Sequence, residues 1–336
     1  MFAPIHQHLE DRSNFRDPLS YHEILKTAHA ITVREGIVRT LIYFDLFNYP
    51  LDQEEIRQYG SIAAMQNEKM ELELLSLCEE GTLHTDGRFY GLRPLVALVE
   101  RRLKGNKAAN DALPKAYKMS RRISRFPFVR SVMLSGSISK GYLADDGDVD
   151  LFVITEPGRL WLSRTLLMLY KKIFLLNSHK YFCVNYLITT DQLEIPDKNL
   201  FTATEVTTLI PTYHPELYLR FQAANKWVKN IYPNFPIRQP NGAFVPGKER
   251  SKKAMETVFS GSIGDRLDSA CLNLTLKFWK RKFEHFDPKT FELALRSNKS
   301  TSKHHPRNFQ EKVMNAYEAR CAEFEQKLYP DNAMAE

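Results

Sequence analysis

Between Val129 and Thr155 the chain reads VRSVMLSGSISKGYLADDGDVDLFVIT, and no other stretch restricts the possible folds as much. An apolar run ends in the turn-forming pair Gly136-Ser137, a polar loop follows, and a second apolar run opens with Asp148-Val149-Asp150. Side chains alternate across a strand, so residues two apart share a face roughly 6 to 7 Å apart. A strand starting at Asp148 therefore aims both carboxylates the same way. Parallel carboxylates repel unless a cation or hydrogen bonds stand before them, and hard oxygen ligands suit magnesium or manganese. The expectation is a cation site at Asp148 and Asp150 facing a phosphate-binding turn. Gly136 would let the backbone approach a phosphate, Ser137 would offer its hydroxyl and amide hydrogens, and Lys140 would add positive charge.

With 336 residues, the chain exceeds one ordinary core, and two or three domains are expected. Its 43% hydrophobic and 26% charged residues fit a soluble globular protein. No apolar run reaches the roughly 18 residues of a membrane helix, and the opening MFAPIHQHLEDRSNFRD lacks a signal-peptide layout. A cytoplasmic protein without a membrane partner is the expectation. Cys78, Cys183, Cys271 and Cys321 are scattered, which fits buried reduced thiols better than a disulfide frame or a zinc knuckle. The net charge of +7 is compatible with nucleotide or nucleic-acid partners and requires neither.

Four segments are expected: a helical extension over 1–33, a winged-helix-like unit over 34–98, an α/β unit over 99–198 and a helical unit over 199–336. In the first, a helix is expected from about Tyr21 to Ile31. The second places Ile37, Leu41, Phe44 and Phe47 at helical spacing, stops at Asn48-Tyr49-Pro50 and restarts at Asp52 with Glu55 as its capping-box partner. A third helix from about Glu68 to Glu80 puts Met70, Leu74, Leu75 and Cys78 on one side, and Asp86-Gly87 marks a hairpin. Three helices and a hairpin make a winged helix, and YFDLFNYPLDQEEI looks like the opening of such a domain. A DNA reader needs cations on its third helix, but NEKMELELLSLCEE carries five glutamates and one lysine. A protein-contact or structural role is expected there in preference to DNA binding. The basic run from Val99 to Phe126 reads as a solvated helix leading into the next unit.

In the α/β unit, strands at Val129–Leu134 and Asp148–Thr155, the helix RLWLSRTLLMLYKKIFLL and the strand KYFCVNYLIT describe a small mixed sheet of the α+β class. Beyond it, helices are expected over Thr202–Leu209, Glu216–Tyr232, Ile263–Phe286 and Asn308–Tyr329. Pro233 to Lys252 reads as a loop. RSNKSTSKHHPRNF also reads as an exposed loop, with His304 and His305 as ordinary loop histidines. Asn225 and Trp227 are read as core in preference to a base-stacking wall.

The central motif resembles the nucleotidyltransferase superfamily typified by DNA polymerase beta, and within it the minimal and antibiotic-type members. Gly136-Ser137, Lys140-Gly141 and Asp148-Val149-Asp150 stand at the family's spacing, over roughly 80 of the 336 residues. The resemblance implies that Asp148 and Asp150 hold one or two magnesium or manganese ions against a nucleoside triphosphate. A nucleoside monophosphate would pass to the hydroxyl of a small molecule, a protein side chain or an RNA end, and pyrophosphate would leave. Such families usually add a third carboxylate from a later strand, where this chain has Asn185. An amide can ligate a metal but cannot accept a proton. Either Glu156, Asp191, Glu194 or Glu205 fills that role, or the chain is a non-catalytic relative that senses nucleotides or joins protein partners.

Overall fold

In the computed structural model, residues 32–62, 67–178, 180–245, 247 and 250–328 are described, so the helix expected at Tyr21 to Ile31 lies outside the described residues. Helix α1 (Val33–Asp45) starts where Thr32 and Glu35 close a reciprocal capping box, and it buries Ile37, Val38, Leu41 and Phe44. Asn48, in the left-handed region, then releases the chain before Pro50. After β1 (Leu51–Asp52), Asp52 and Glu55 cap α2 (Gln53–Tyr59) as expected. Helix α3 (Asn67–Glu79) leads to the hairpin of β2 (His84–Thr85) and β3 (Phe89–Gly91), and the strands pair in the order β1-β3-β2. This is the helix-strand-helix-helix-hairpin order of a winged helix. One face of α3 differs from expectation: Leu77 is buried with Met70 and Leu74, while Leu75 is 61% exposed. A single residue turns a helix by about 100°, so Leu75 leaves a stripe that runs through 70, 74 and 77.

The basic run forms α4 (Val96–Ile123), which does more than bridge two units. Its buried stripe is mostly small, with Gly105, Ala109, Ala112, Ala116 and Ser120 at three- and four-residue spacing, so the helix lies close against the sheet. A side chain at Gly105 would enter the ring of Tyr142, 2.1 Å from its Cε2. One turn earlier Arg102, only 5% exposed, reaches back to the winged helix. It makes a two-pronged contact with Glu55 at 2.7 and 2.9 Å, donates to the carbonyl of Pro50, and lies over the rings of Tyr49 and Phe89.

The α+β expectation holds: a six-stranded mixed sheet runs β7-β4-β5-β6-β9-β8. Strand β4 (Val129–Ser135) pairs antiparallel with β5 (Asp150–Thr155), and Ser135 stands opposite Asp150. Helix α5 (Gly136–Ser139) is the single turn after β4, and α6 (Leu160–Phe174) carries the chain from β5 to the parallel β6 (Cys183–Thr189). Strand β5 begins two residues later than the sequence suggests. The backbone of Val149 bonds instead to Lys180 and Cys183, so Asp148 lies in the preceding loop.

The C-terminal part is less purely helical than its composition implies. Between α7 (Leu200–Thr208) and α8 (Pro215–Ala224) lies β7 (Ile210–Tyr213), on the outer edge of β4. The long helix expected over Glu216–Tyr232 is broken at Asn225, after which the chain continues as a 3-10 turn over Lys226–Asn230. Asn225 is fully buried, accepting from the amide of Ile195 and donating to the carbonyls of Leu193 and Phe221, so it is core as read. Helices α9 (Arg250–Val258), α10 (Gly261–Lys282) and α11 (Pro288–Leu295) follow. The stretch read as an exposed loop is the hairpin β8 (Ser297–Asn298) and β9 (Thr301–Lys303), and β9 is buried against β6. Its polar side chains hide it from an apolar-pattern reading. Lys303 can be interior because Asp197 faces its ammonium at 3.1 Å and Gln310 accepts from it at 2.8 Å.

Helix α12 (Phe309–Leu328) returns to the winged helix. Tyr317 meets Tyr43 edge to face at 5.9 Å, and Arg320 joins Arg93 on the carboxylate of Asp45. One continuous core therefore extends from Ile37 through Phe152 and Phe221 to Cys321, on one face of the sheet. On the other face α4, α6 and α10 cover Val132, Leu151 and Val153. All four cysteines are free, as expected. Among the described residues, no helix is long and apolar enough to cross a membrane.

Candidate functional site

Where β4 ends, Gly136 adopts a positive φ of 67° and the chain folds into the turn of α5. The choice of glycine is enforced twice. The left-handed backbone is costly for any other residue, and a Cβ here would stand 2.2 Å from Oδ2 of Asp150. The turn and the aspartate are thus held in direct apposition by the β4–β5 register. Asp150 is 5% exposed and accepts a hydrogen bond at 2.8 Å from Nδ2 of Asn185, on the adjoining strand β6. The carboxylate and the amide that the sequence set against each other are therefore direct neighbours.

Across the turn stands Glu205, from α7. Its carboxylate accepts from the amide of Gly136 at 3.3 Å and from Nζ of Lys140 at 2.8 Å, and Lys140 also donates to the carbonyl of Gly136 at 3.0 Å. An anion already sits where the turn and its lysine offer their hydrogens. Of the four acids considered for a third carboxylate, Glu205 alone lines the cavity beside Asp150. Glu156 pairs with Arg130 at 2.7 Å, Glu194 pairs with Lys198 at 2.7 Å, and Asp191 is exposed away from it.

Gly136, Ser137, Lys140, Asp150, Asn185 and Glu205 line a cavity of about 90 Å³. Asp148 is not among the lining residues. It is half-buried in the loop, where its charge acts on Lys171 and Cys183. Burial, reinforced by Asp150 and Asp148, pushes the Cys183 thiol far up, so it stays protonated.

Sequence reasoning missed the remaining wall. Tyr43 and Phe44 come from α1, Phe47 from the turn just after it, Tyr186 from β6, Asp197 from the segment before α7, and Lys303 and His305 from and just after β9. Burial opposes ionisation of Asp197, but Lys303 and Arg296 together hold its carboxyl below the usual range. The one available signal was the pair His304-His305, read as loop residues. They do lie in the loop after β9, but half-buried: the His304 ring is tilted against Trp279 at 4.9 Å, and His305 meets Tyr186 edge to face at 6.2 Å.

Burial pushes the His305 imidazole down to about 4, helped by Lys303 and opposed by Asp150 and Glu205. His304 is lowered to about 3, by burial first and then by Arg164, His305, Lys282 and Lys171. Both rings are neutral in the folded protein at neutral pH, and on unfolding both return toward 6.5. Below that value the unfolded chain binds more protons, so stability is complete above about 6.5, falls as pH drops, and levels off for His305 near 4. The slope is about 1.4 kcal/mol per pH unit for each histidine. Urea midpoints at about pH 7 and about pH 5 are expected to show this loss, and His305→Gln should remove its share.

No protein-family model matches the chain, nor does any curated protein or solved structure.

Proposed function

We propose that the turn after β4 and the carboxylate of Asp150 form a metal-dependent nucleotidyl-transfer site for a nucleoside triphosphate. The observation that carries this reading is the apposition of Gly136 and Asp150, too close to admit a side chain between them. It joins a backbone fit for phosphate to a buried acid fit for a hard cation. The donor set suits magnesium or manganese: Asp150 and Glu205 at the cavity, with Asp148 in the adjacent loop. No group of three or more histidine, cysteine, aspartate or glutamate residues gathers at one point among the described residues. Phosphate oxygens and water would complete the shell, as is usual for magnesium. Such an ion would neutralise charge on the phosphates.

In the transfer, the acceptor hydroxyl oxygen bonds to the α-phosphorus while the bond from that phosphorus to the bridging oxygen breaks. Pyrophosphate leaves with the bonding electron pair. Glu205 takes the hydroxyl proton, a role closed to the amide of Asn185. Before that, the triphosphate has to displace Glu205 from Gly136 and Lys140. Glu205→Gln removes the competing charge, and triphosphate affinity is expected to rise about fivefold to tenfold, read by equilibrium dialysis, while transfer falls.

The hydrogen bond from Asn185 to Asp150 favours a second reading, a nucleotide-sensing module without turnover. Incubation with labelled triphosphates and magnesium separates the two. Pyrophosphate release with an acceptor supports transfer, binding without release over a broad acceptor panel supports sensing, and absence of binding sinks both.

A further inference from the structure

The cavity is also lined by Phe47, Phe152, Phe201, Val206 and Leu209. Three of the residues that line it each carry a buried polar atom without a hydrogen-bond partner: Oγ of Ser137, the hydroxyl of Tyr186 and Nε2 of His305. Each lies on a different segment, α5, β6 and the end of the β9 hairpin. Buried hydroxyls and imidazoles without partners are unfavourable, so three around one cavity point to an occupant that supplies what they lack.

The chemistry of that occupant is restricted from both sides. Cations on the wall are already engaged, Lys303 with Asp197 and Gln310, Lys140 with Glu205. His305 is held neutral by burial. Without a metal ion, an anionic group would find the lysines of the lining already paired with Glu205 and Asp197. A sugar or an RNA end would have to draw its further hydrogen bonds from side chains already paired, such as Lys140, Asn185, Lys303 and Gln310. The volume of about 90 Å³ compares with the roughly 150 Å³ of an engineered apolar cavity that takes up benzene, which sets the scale at one small ring or a short branched chain.

We propose that this cavity binds a small uncharged molecule with a compact apolar body and a single hydroxyl, and that this molecule is the acceptor, its hydroxyl at the Asp150 end. Binding rests on the cavity alone; the role as acceptor rests on the nucleotidyl-transfer reading. The transfer step balances as written above with this hydroxyl as nucleophile.

The test uses 3-methylbutan-1-ol and phenol as probes and glycerol as the polar control, with neither nucleotide nor metal, by ligand-observed NMR titration. Both probes are expected to bind in roughly the millimolar range, and glycerol is expected not to bind. Tyr186→Phe removes only an unpartnered hydroxyl, so the fold is kept and probe affinity should drop about fivefold. Val206→Phe fills the cavity and should abolish binding. Failure of both probes to bind, glycerol binding as well as they do, or probe affinity unchanged in Tyr186→Phe would overturn the proposal. Triphosphate binding is measured separately on the same protein. Probes that bind where triphosphate does not would remove the transfer reading and leave the binding site, and the reverse result would remove the site and leave the transfer reading.

Discussion

Asp150→Asn is expected to lower nucleotidyl transfer at least about 100-fold while leaving the protein folded. The magnitude follows from what lesser changes do. Altering a group that merely orients a metal ligand costs about 10-fold to 100-fold, and Asp150 would itself be the ligand. Asparagine keeps the shape and can still pair with Asn185 across the 2.8 Å contact, so thermal stability should shift little. Asp148→Ala is the informative contrast. Because Asp148 stands in the loop and outside the cavity lining, its loss should cost transfer less than the change at Asp150. Equal losses would place both carboxylates on the same ion, and full activity in Asp150→Asn would refute the site. Gly136→Ala should resemble Asp150→Asn in activity for a steric reason, since its methyl would displace the Asp150 carboxylate. It should also cost about 1–2 kcal/mol of stability from the left-handed backbone, which Asp150→Asn does not.

The largest effect on stability is expected at Arg102. Arg102→Ala should cost about 3–5 kcal/mol, read as a lower urea midpoint, because it strands a partly buried carboxylate and uncovers the rings of Tyr49 and Phe89. Burial already pushes the Glu55 carboxyl above its usual range, even with the guanidinium beside it. Removing the cation should raise it further. A raised carboxyl stabilises the fold fully below the unfolded value near 4.5 and loses that contribution as pH climbs through the folded value. Arg102→Ala is therefore expected to be less damaging at about pH 5 than at about pH 7, and Arg102→Met with Glu55→Gln less damaging than Arg102→Ala alone.

What could be read from the sequence was local. The cap of α2, the Asp86-Gly87 turn and the glycine-to-aspartate spacing all act over a few residues, and their chemistry survives in one dimension. The cavity did not, because its walls come from positions 43 to 310. Strand β9 escaped notice for a physical reason: its interior position depends on Asp197 neutralising Lys303 from 106 residues away, a pairing no periodicity reveals. The early start assigned to β5 has the same kind of origin, since Val149 resembles a strand residue but spends its hydrogen bonds on the approach to β6. Glu205 was one of four candidate acids, and only its reach across the turn separates it from the others.

Tyr43 and Phe44 belong to the first helix of the winged unit and Phe47 to the turn that ends it, yet all three line the cavity. A molecule held there would touch α1 and the sheet together, and any coupling between those two contacts would be reciprocal. The exposed acidic face of α3 belongs to the same unit as that cavity wall, so surface and cavity are joined by the packing of α1 against α3.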